Sequence, residues 1–430
     1  MIKKKIHRAI QSFNPLKQLM ASGGLTFMFR IGGLGLNFLV IYIITHTYGD
    51  GVYGSYSLAF TLAQATGLLF ALGFPNAIVS YLGLKSINHP FSQHMLKKGL
   101  KLLIPIALVP LVIYFFGSEF IAVHIFNDPA FTSYIAIAAI TVPAMVLHEF
   151  VLYFFIGTGN FVKFNIFMFV VPNFILLALL FFIKNVPGHH TFLFYAISVY
   201  SVLAIELLFA LKRHTKADIE TVSLRQMVKF SSPMMFSGIM MYLLNWTDVF
   251  MLGAMTSSEE LGHYNLAYKV ASLGMLVIMS MNVVLAPRIA ALFSEGNLHE
   301  LHKTVKKTTH LIIVLTVPLV LGIILFSDFI LTFFGKDFSG GHQALIIISV
   351  GFMLNAATGN VDQILNMTGN QKILQNLTIG GFVINVALNA ALIPRYGING
   401  SAMASLITNV LFNMVCVHYI KKKLGFYTFA

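Results

Sequence analysis

Long apolar stretches alternate with short polar segments from one end of the chain to the other. An α-helix needs about 20 predominantly apolar residues to cross the hydrocarbon core of a bilayer. Twelve stretches of this kind recur, so the pattern predicts a polytopic membrane protein with about twelve spanning α-helices. The predicted spans lie near residues 18–46, 52–83, 100–117, 131–157, 164–184, 190–211, 227–255, 261–290, 308–326, 342–367, 373–393 and 397–420.

The basic residues give these predicted helices an orientation, because the short cytoplasmic segments of membrane proteins are enriched in Lys and Arg. If the N-terminus is cytoplasmic, the inner segments hold 23 of the 28 Lys and Arg, and the outer segments hold Lys184, Lys336 and Arg395. The split predicts an even number of helices with both chain ends inside. The inner cations include Lys3, Lys4, Lys5, Lys97, Lys98, Lys212, Arg213, Lys306, Lys307, Lys421, Lys422 and Lys423.

The composition agrees with a membrane protein and excludes an ordinary soluble domain. The chain is 57% hydrophobic and 10% charged, whereas soluble domains carry about 25% charged residues. The net charge of +13 therefore indicates contact with anionic lipid rather than with nucleic acid. Cys416 is the single cysteine, so an intrachain disulfide is impossible. The N-terminal MIKKKIHR precedes a span too long for a cleaved signal peptide, and we expect a retained first helix.

The two halves of the chain resemble each other at an offset of 208 to 210 residues. Each half then contains six helices, so both halves enter the membrane in the same direction. This predicts two repeats related by a pseudo-twofold axis along the membrane normal, as in transporters with parallel repeats. The predicted domains are an N-terminal lobe (1–211), a cytoplasmic linker (212–226) and a C-terminal lobe (227–430). Matches include Leu36-Asn37-Phe38 with Leu244-Asn245-Trp246, Gly54-x-Tyr56 with Gly262-x-Tyr264, and Thr158-Gly159-Asn160 with Thr368-Gly369-Asn370.

Several segments carry a resemblance to a known family. They read YGDGVYGSYSLAFTLAQATGLLFALGFPNAIVSYL (48–82), TDVFMLGAMTSSEELGHYNLAYKVASL (247–273), LAPRIAALFSEGN (285–297) and IPRYGINGSAMASLITNVLF (393–412). These patterns of Gly, Ala, Pro and aromatic residues resemble the bacterial polysaccharide flippases of the multidrug/oligosaccharidyl-lipid/polysaccharide (MOP) exporter superfamily, which are MATE-like. The resemblance covers nearly the whole chain.

The resemblance implies two six-helix lobes around a central cavity. It also implies that the protein flips an undecaprenyl-diphosphate-linked oligosaccharide across the bacterial cytoplasmic membrane by alternating access, for the synthesis of cell-surface polysaccharide. The implied partners are this substrate, membrane lipids, H⁺ or Na⁺ as a coupling ion, and other membrane proteins of polysaccharide assembly. No cofactor is expected.

Cations within the spans are the first candidate site residues, because a charge at the bilayer centre costs roughly 2.5–3.5 kcal/mol. Arg30 lies near the middle of the first span. It is either a contact for the lipid diphosphate, which a guanidinium binds bidentately, or a member of an internal ion pair or carbonyl cap. Lys269 is a second hypothetical substrate contact. Arg288, at the inner end of span 261–290, is either a diphosphate contact at the cavity mouth or a positive-inside anchor.

Acidic residues in the spans give the candidates for ion coupling. Asp248 and Lys269 are expected at a similar depth in neighbouring helices. They form either a buried ion pair that holds the helices together, or a proton- or sodium-coupled site that also lines the sugar path. Glu149 in the fourth predicted span is a weaker candidate for the same role. Glu206 is expected to reach the membrane interface by snorkelling.

A polar stripe is predicted on the span 342–367, where Asn355, Gly359, Asp362 and Asn366 follow one another at spacings of 4, 3 and 4 residues. Such a stripe on a membrane helix faces either the protein interior or water. We interpret Asn355, Asp362 and Asn366 as substrate-binding residues that line a cavity. The alternative is hydrogen bonding between helices.

Other functions remain as alternatives. A cation-coupled multidrug exporter of the same superfamily is the first, although such exporters usually carry an acidic site in helix 1, where this chain has Arg30. A membrane-embedded glycosyltransferase or polymerase needs a large outer loop, and all predicted loops are short. A purely structural scaffold is a further alternative. The sequence has no nucleotide-binding glycine loop or nucleophile elbow and no histidine pair at metal-ligand spacing, so neither an enzyme nor a metal site is expected.

Overall fold

A computed structural model describes residues 26–211 and 223–429. These residues form helices joined by short turns, with no strand among them. The predicted all-α membrane fold is thereby confirmed. Several predicted features lie outside the described residues, namely the cations Lys3, Lys4, Lys5, Lys212 and Arg213 and most of the linker 212–226.

Each predicted apolar span overlaps at least one helix of the structure. Two π-helical turns, Ile121–Ile125 and Ile166–Val170, continue or interrupt the α-helices. The α-helices are α1 (Thr26–Tyr48), α2 (Asp50–Phe70), α3 (Phe74–Leu82), α4 (Pro90–Phe120), α5 (Thr132–Gly157), α6 (Phe161–Asn165), α7 (Val171–Phe182), α8 (His190–Ala210), α9 (Leu224–Met255), α10 (Ser258–Ala271), α11 (Met275–Ser294), α12 (Leu298–Leu325), α13 (Ser327–Phe334), α14 (His342–Thr358), α15 (Val361–Met367) and α16 (Gln371–Leu424).

Many of these helices are suited to a bilayer. Within the described residues, nine helices are long and apolar enough to cross a membrane, or ten if the bent pair α2 and α3 counts as one span. Large apolar side chains such as Phe116, Phe182 and Leu325 are more than three-quarters exposed, as expected for a surface solvated by lipid. The number of twelve spans and the symmetry of two repeats stay predictions.

Two glycines with positive φ mark breaks between helices. Gly73 has φ 71° and separates α2 from α3, whose axes differ by 51°. Gly397, with φ 54° and ψ −134°, interrupts α16 between the predicted spans 373–393 and 397–420. Positive φ angles are readily adopted only by glycine, so these two residues fix where the helices turn.

One compact unit comprises residues 66–116 and 136–238 with the described part of 1–43. Its core is aromatic, since Phe150, Phe154 and Phe192 are completely buried. The carboxamide of Gln93 donates hydrogen bonds to the carbonyls of Ile87, at 2.9 Å, and Ala210, at 2.8 Å. These bonds satisfy the carbonyl at the end of α8 and tie α8 to the start of α4.

The second compact unit comprises residues 44–65, 117–135 and 239–430. Residues 44–65 and 117–135 belong to the predicted N-terminal lobe but pack in this unit. The division into lobes at residues 212–226 stays a prediction. A buried cluster of aliphatic side chains forms part of the core of this unit, with Leu285, Ile289, Leu301, Ile364, Cys416 and Ile420 among its members.

Candidate functional site

The second unit contains a buried carboxylate. Asp248 on α9 is 5% exposed. Its Oδ2 accepts a hydrogen bond from the Tyr264 hydroxyl at 2.7 Å and another from the Ser405 hydroxyl, and its Oδ1 accepts from the Asn389 carboxamide at 2.8 Å. All three donors are neutral. The position of the carboxylate is therefore fixed by hydrogen bonds to groups that do not cancel its charge.

Further polar side chains hydrogen-bond to Asn389, one of these donors. The Asn389 carboxamide also donates to the Asn385 side-chain oxygen at 3.1 Å, and its own oxygen accepts from the Ser401 hydroxyl at 2.8 Å. Asn385 and Asn389 precede the break at Gly397, while Ser401 and Ser405 follow it. Each pair is spaced by four residues and so occupies one helix face. The break turns the two faces of α16 toward each other and toward Asp248.

A cavity of about 90 Å³ opens beside this network. Its polar lining combines carboxamides, hydroxyls and the carboxylate, and its apolar lining includes two aromatic rings. All the lining residues belong to the second unit. The polar set is Asn245, Asp248, Asn355, Asn385, Ser405, Thr408 and Asn409, and the aromatic residues are Tyr268 and Phe352.

A run of aromatic rings borders the same cavity. Trp246 lies with its ring centroid 6.0 Å from that of Tyr242 and 6.0 Å from that of Tyr268. Tyr268 in turn lies 5.9 Å from Phe352 and 6.3 Å from Tyr264. Such spacings are typical of favourable aromatic pairs. Of these rings, Tyr268 and Phe352 line the cavity, so its wall includes aromatic surface.

The structure places two of the predicted site residues, Asp248 and Asn355, at this cavity. Lys269 follows Tyr268 on α10 and is half-buried. It is not among the three donors that hold the Asp248 carboxylate. Arg288 lies on α11 with an exposed side chain. Neither cation is part of the cavity lining.

The predicted polar stripe is interrupted. α14 ends at Thr358 and α15 begins at Val361, because Gly359 has φ 73° and the Asn360 carboxamide donates a hydrogen bond to the Asn282 side chain. Asp362 and Asn366 therefore do not continue the helix face of Asn355, and they do not line the cavity. Their role in substrate binding stays a prediction.

Arg30 belongs to the first unit. Its side chain is exposed on α1, and its guanidinium carbon lies 5.6 Å from the ring centroid of Phe169. Gly33, one turn further along α1, packs so closely that a Cβ there would lie 2.6 Å from the Phe169 carbonyl oxygen. The close packing of α1 on this π-helical turn places Phe169 under the guanidinium, where a cation–π interaction is favourable.

A buried contact between a histidine and a glutamate in the first unit does not follow from the sequence pattern. Glu206 on α8 was expected to reach the interface, but it is completely buried, and its Oε2 lies 3.0 Å from His148 Nδ1. Its Oε1 has no hydrogen-bond partner among the described residues. Glu149, beside His148 on α5, is half-buried. The expectation was wrong because α8 packs this face inward.

A second polar cluster joins α2 to α10 in the second unit. Asp50 Oδ2 lies 2.9 Å from His263 Nε2, and the Ser55 hydroxyl donates to the Ser258 hydroxyl at 3.1 Å. The helices approach closely, since a Cβ on Gly54 would lie 1.7 Å from the Ser258 carbonyl oxygen. We call this set the α2–α10 junction. Within the described residues, no group of three or more His, Cys, Asp or Glu is placed to hold a metal ion.

The chain shows sequence similarity to two families. The sequence model of the family described as "Polysaccharide biosynthesis protein" matches residues 19–293, and that of the family "MatE" matches residues 233–391. A relative is the probable low-salt glycan biosynthesis flippase Agl15 of Haloferax volcanii, which is 24% identical over 197 residues. That alignment covers 46% of this chain and 42% of the relative. The chain thus matches less than half the length of this curated relative.

Solved structures share the fold. The lipid II flippase MurJ in an inward closed conformation aligns with a TM-score of 0.73 at 15% identity, covering 94% of this chain and 87% of that one. An inward-facing multidrug resistance MATE family transporter of the MOP superfamily aligns with a TM-score of 0.63 at 16% identity, covering 90% and 94%. The match to the family "Polysaccharide biosynthesis protein" over residues 19–293 confirms the predicted family resemblance, and these structures show the shared fold.

Proposed function

The chain belongs to the family of polysaccharide biosynthesis proteins, and from that premise we propose that it moves a lipid-linked oligosaccharide from one leaflet of a membrane to the other. It does so as a transporter, without catalysing a covalent step. The flippase name of the relative and the shared fold of the MurJ flippase support this proposal.

The observation that carries the substrate class is the exposed guanidinium of Arg30 on an apolar helix. An arginine within a membrane span is costly unless water or an anion solvates it. A lipid diphosphate is such an anion, and a guanidinium binds phosphate oxygens in a bidentate manner. We propose more specifically that the lipid carrier is undecaprenyl diphosphate and that Arg30 is one of its contacts. The protein would then lie in the bacterial cytoplasmic membrane with both chain ends cytoplasmic.

Reconstitution tests the function directly. The purified protein is placed in liposomes that contain a fluorescent diphosphate-linked glycolipid, and an impermeant reductant destroys the label in the outer leaflet. Flipping is expected to expose the inner-leaflet label to the reductant, so that nearly all fluorescence is lost. Loss that stops at the outer-leaflet fraction, as in protein-free liposomes, would reject the proposal.

We further propose that Asp248 couples transport to H⁺ or Na⁺. The carboxylate is buried among oxygen-bearing side chains at the cavity, and hard cations such as Na⁺ prefer oxygen ligands. Asp248→Asn preserves the shape but removes the charge. We expect this variant to lose the acceleration of flipping by an imposed Na⁺ or pH gradient. A variant that responds to the gradients like the wild type would show that Asp248 is not the coupling group.

A cation-coupled drug exporter is a second candidate, because the MatE match covers residues 233–391, which include Asp248 and most of the cavity residues. Efflux of a fluorescent organic cation from the same liposomes distinguishes the two. Efflux of the cation without flipping of the glycolipid would favour the drug exporter.

A further inference from the structure

The residues at the mouth of the cavity beside Asp248 are exposed, and those at its floor are buried. Asn245 and Asn409 are exposed, whereas Asp248 and Asn385 are 5% and 3% exposed. A ligand that enters therefore meets carboxamides first and the carboxylate last. Each carboxamide offers two N–H donors and one carbonyl acceptor. This mixture suits a ligand that both donates and accepts hydrogen bonds.

One hydroxyl in the lining has no hydrogen-bond partner among the described residues. Thr408 is 5% exposed and lines the cavity, yet its Oγ1 has no hydrogen-bond partner among the described residues. A buried hydroxyl without a partner is unfavourable. By contrast, the Thr378 hydroxyl on the same helix donates to the Leu374 carbonyl at 2.9 Å. A polar group of a bound ligand would give the Thr408 hydroxyl the hydrogen-bond partner that the described residues do not supply.

The charge of the lining residues argues against an anionic ligand. The cavity is lined by no Lys, Arg or His, and all its lining residues are in the described part of the chain. It is therefore unsuited to a phosphate group. The Asp248 oxygens already accept three hydrogen bonds, so other lining groups, such as Asn355, Asn409 and Thr408, would hold a neutral ligand. Tyr268 and Phe352 add two ring faces for its apolar C–H groups.

The size of the cavity fits one small ring. A single water takes about 10–15 Å³ of such space, so a cavity of about 90 Å³ holds roughly six waters. We propose that this cavity binds one neutral sugar ring of the transported glycan, with the carboxamides and Thr408 bonded to its hydroxyls and Tyr268 against one of its faces. This assignment rests on the proposed function and adds a sugar contact separate from Arg30.

Trp246 makes sugar binding measurable without any transport. It is the single tryptophan of the chain, and its ring lies 6.0 Å from that of Tyr268. The full-length protein in nanodiscs is titrated with free glucose, galactose, mannose and N-acetylglucosamine while Trp246 emission is recorded. A small ligand held by a few hydrogen bonds binds with a Kd on the order of 1 mM. We expect at least one of these sugars to change the emission saturably in that range.

Two isosteric variants on α16 separate a binding role from a structural one. Thr408→Val removes the unpartnered hydroxyl and is expected to weaken sugar binding about 3- to 10-fold, with thermal stability kept or raised. Thr378→Val removes a locally satisfied hydroxyl outside the cavity and is expected to leave the sugar Kd unchanged. Equal sugar affinity in Thr408→Val and the wild type would overturn the assignment of this residue to the site.

The outcomes also separate this proposal from the proposed function. If the wild type flips the glycolipid but none of the four sugars changes Trp246 emission, the sugar subsite is rejected and the flippase stands. An emission change with NaCl but not with sugars would identify the cavity as a path for the cation and equally reject the subsite. Sugar-dependent emission without flipping would keep the subsite and reject the flippase.

Discussion

At the scale of single residues, Arg30 is the first test. Its guanidinium is exposed and lies 5.6 Å from the Phe169 ring centroid. Because a diphosphate must lose part of its hydration to cross the membrane, we expect Arg30→Ala to lower the flipping rate of a diphosphate-linked lipid at least about tenfold. Arg30→Lys should restore it only in part, since an ammonium lacks the bidentate geometry. Phe169→Leu is the matched control, because it removes the ring and keeps the cation.

The measurement is the initial rate in liposomes that hold equal amounts of each variant. If Arg30→Ala flipped the lipid at the wild-type rate, Arg30 would not be a contact for the diphosphate. If Phe169→Leu fell as far as Arg30→Ala, the guanidinium would matter for the packing of α1 rather than for the substrate.

The His148–Glu206 pair yields a prediction on stability. Glu206 is completely buried, and the pair is 3.0 Å apart. His148→Ala leaves the carboxylate without its partner, and breaking a buried pair in this way typically costs about 3–5 kcal/mol. Replacing both residues, as in His148→Leu with Glu206→Leu, removes the charge as well and is expected to cost much less. Thermal unfolding in detergent measures both. If the double variant were less stable than His148→Ala, the unpaired buried carboxylate would not be the main cost of the single substitution. The contact between the two side chains would then stabilise the fold by itself.

A residue of the candidate site could be predicted from the sequence only where the pattern within a single span identified it. Asp248 and Asn355 stood out because a polar side chain in an apolar span is conspicuous, and both line the cavity. Asn389 and Ser405 were missed, although Asn385 with Asn389 and Ser401 with Ser405 each repeat at four residues. Their meeting depends on the backbone turn at Gly397. The apolar pattern predicts one span ending at 393 and another beginning at 397, but it does not predict which faces of the two helices then meet.

At the scale of helices, the apolar pattern predicted where helices occur better than it predicted whether each helix is unbroken. Each predicted span overlaps a helix, because about 20 apolar residues are stable in lipid only with every backbone group paired internally. The span 52–83 bends at Gly73 and the span 342–367 breaks at Gly359, both glycines with positive φ. A break of one or two residues leaves the mean hydropathy of a span almost unchanged. It was therefore invisible to the pattern that identified the helix.

The α2–α10 junction connects helices that the repeat makes equivalent. Gly54 and Gly262 correspond at an offset of 208 residues, and a Cβ on Gly54 would lie 2.9 Å from the Gly262 nitrogen. The two hydrogen-bonded pairs of the junction also exchange under this offset. Reciprocal contact between equivalent positions is what a twofold axis produces, which favours the predicted repeat symmetry. The exchanged pairs are Asp50–His263 and Ser258–Ser55.

At the scale of the whole molecule, the orientation of the chain ends is open to test. The distribution of the basic residues predicts that residues 1–16, 212–226 and 421–430 lie on one side of the membrane, because positively charged segments tend to remain cytoplasmic. We expect reporter fusions at these three positions to give the same cytoplasmic signal. Fusions after residues 184 and 336, in predicted outer segments, are the matched controls and should give the opposite one. Opposite signals from 212–226 and 421–430 would refute an even number of helices in the second half and with it the parallel repeat.

Alternating access predicts that the α2–α10 junction opens during transport, because α2 belongs to the predicted N-terminal lobe (1–211) and α10 to the predicted C-terminal lobe (227–430), and lobes that rock against each other would break this contact. The Ser55 and Ser258 hydroxyl oxygens are 3.1 Å apart, so sulfur atoms in their place come within reach of a disulfide after small side-chain rotations. We expect oxidation of the Ser55→Cys/Ser258→Cys variant to stop glycolipid flipping and a reducing agent to restore it. The two single variants under the same oxidant are the controls, and the native Cys416 stays in place because it is buried. Undiminished flipping by the fully cross-linked protein would mean that this junction stays closed throughout transport, and the substrate would then leave by a path that does not part α2 from α10.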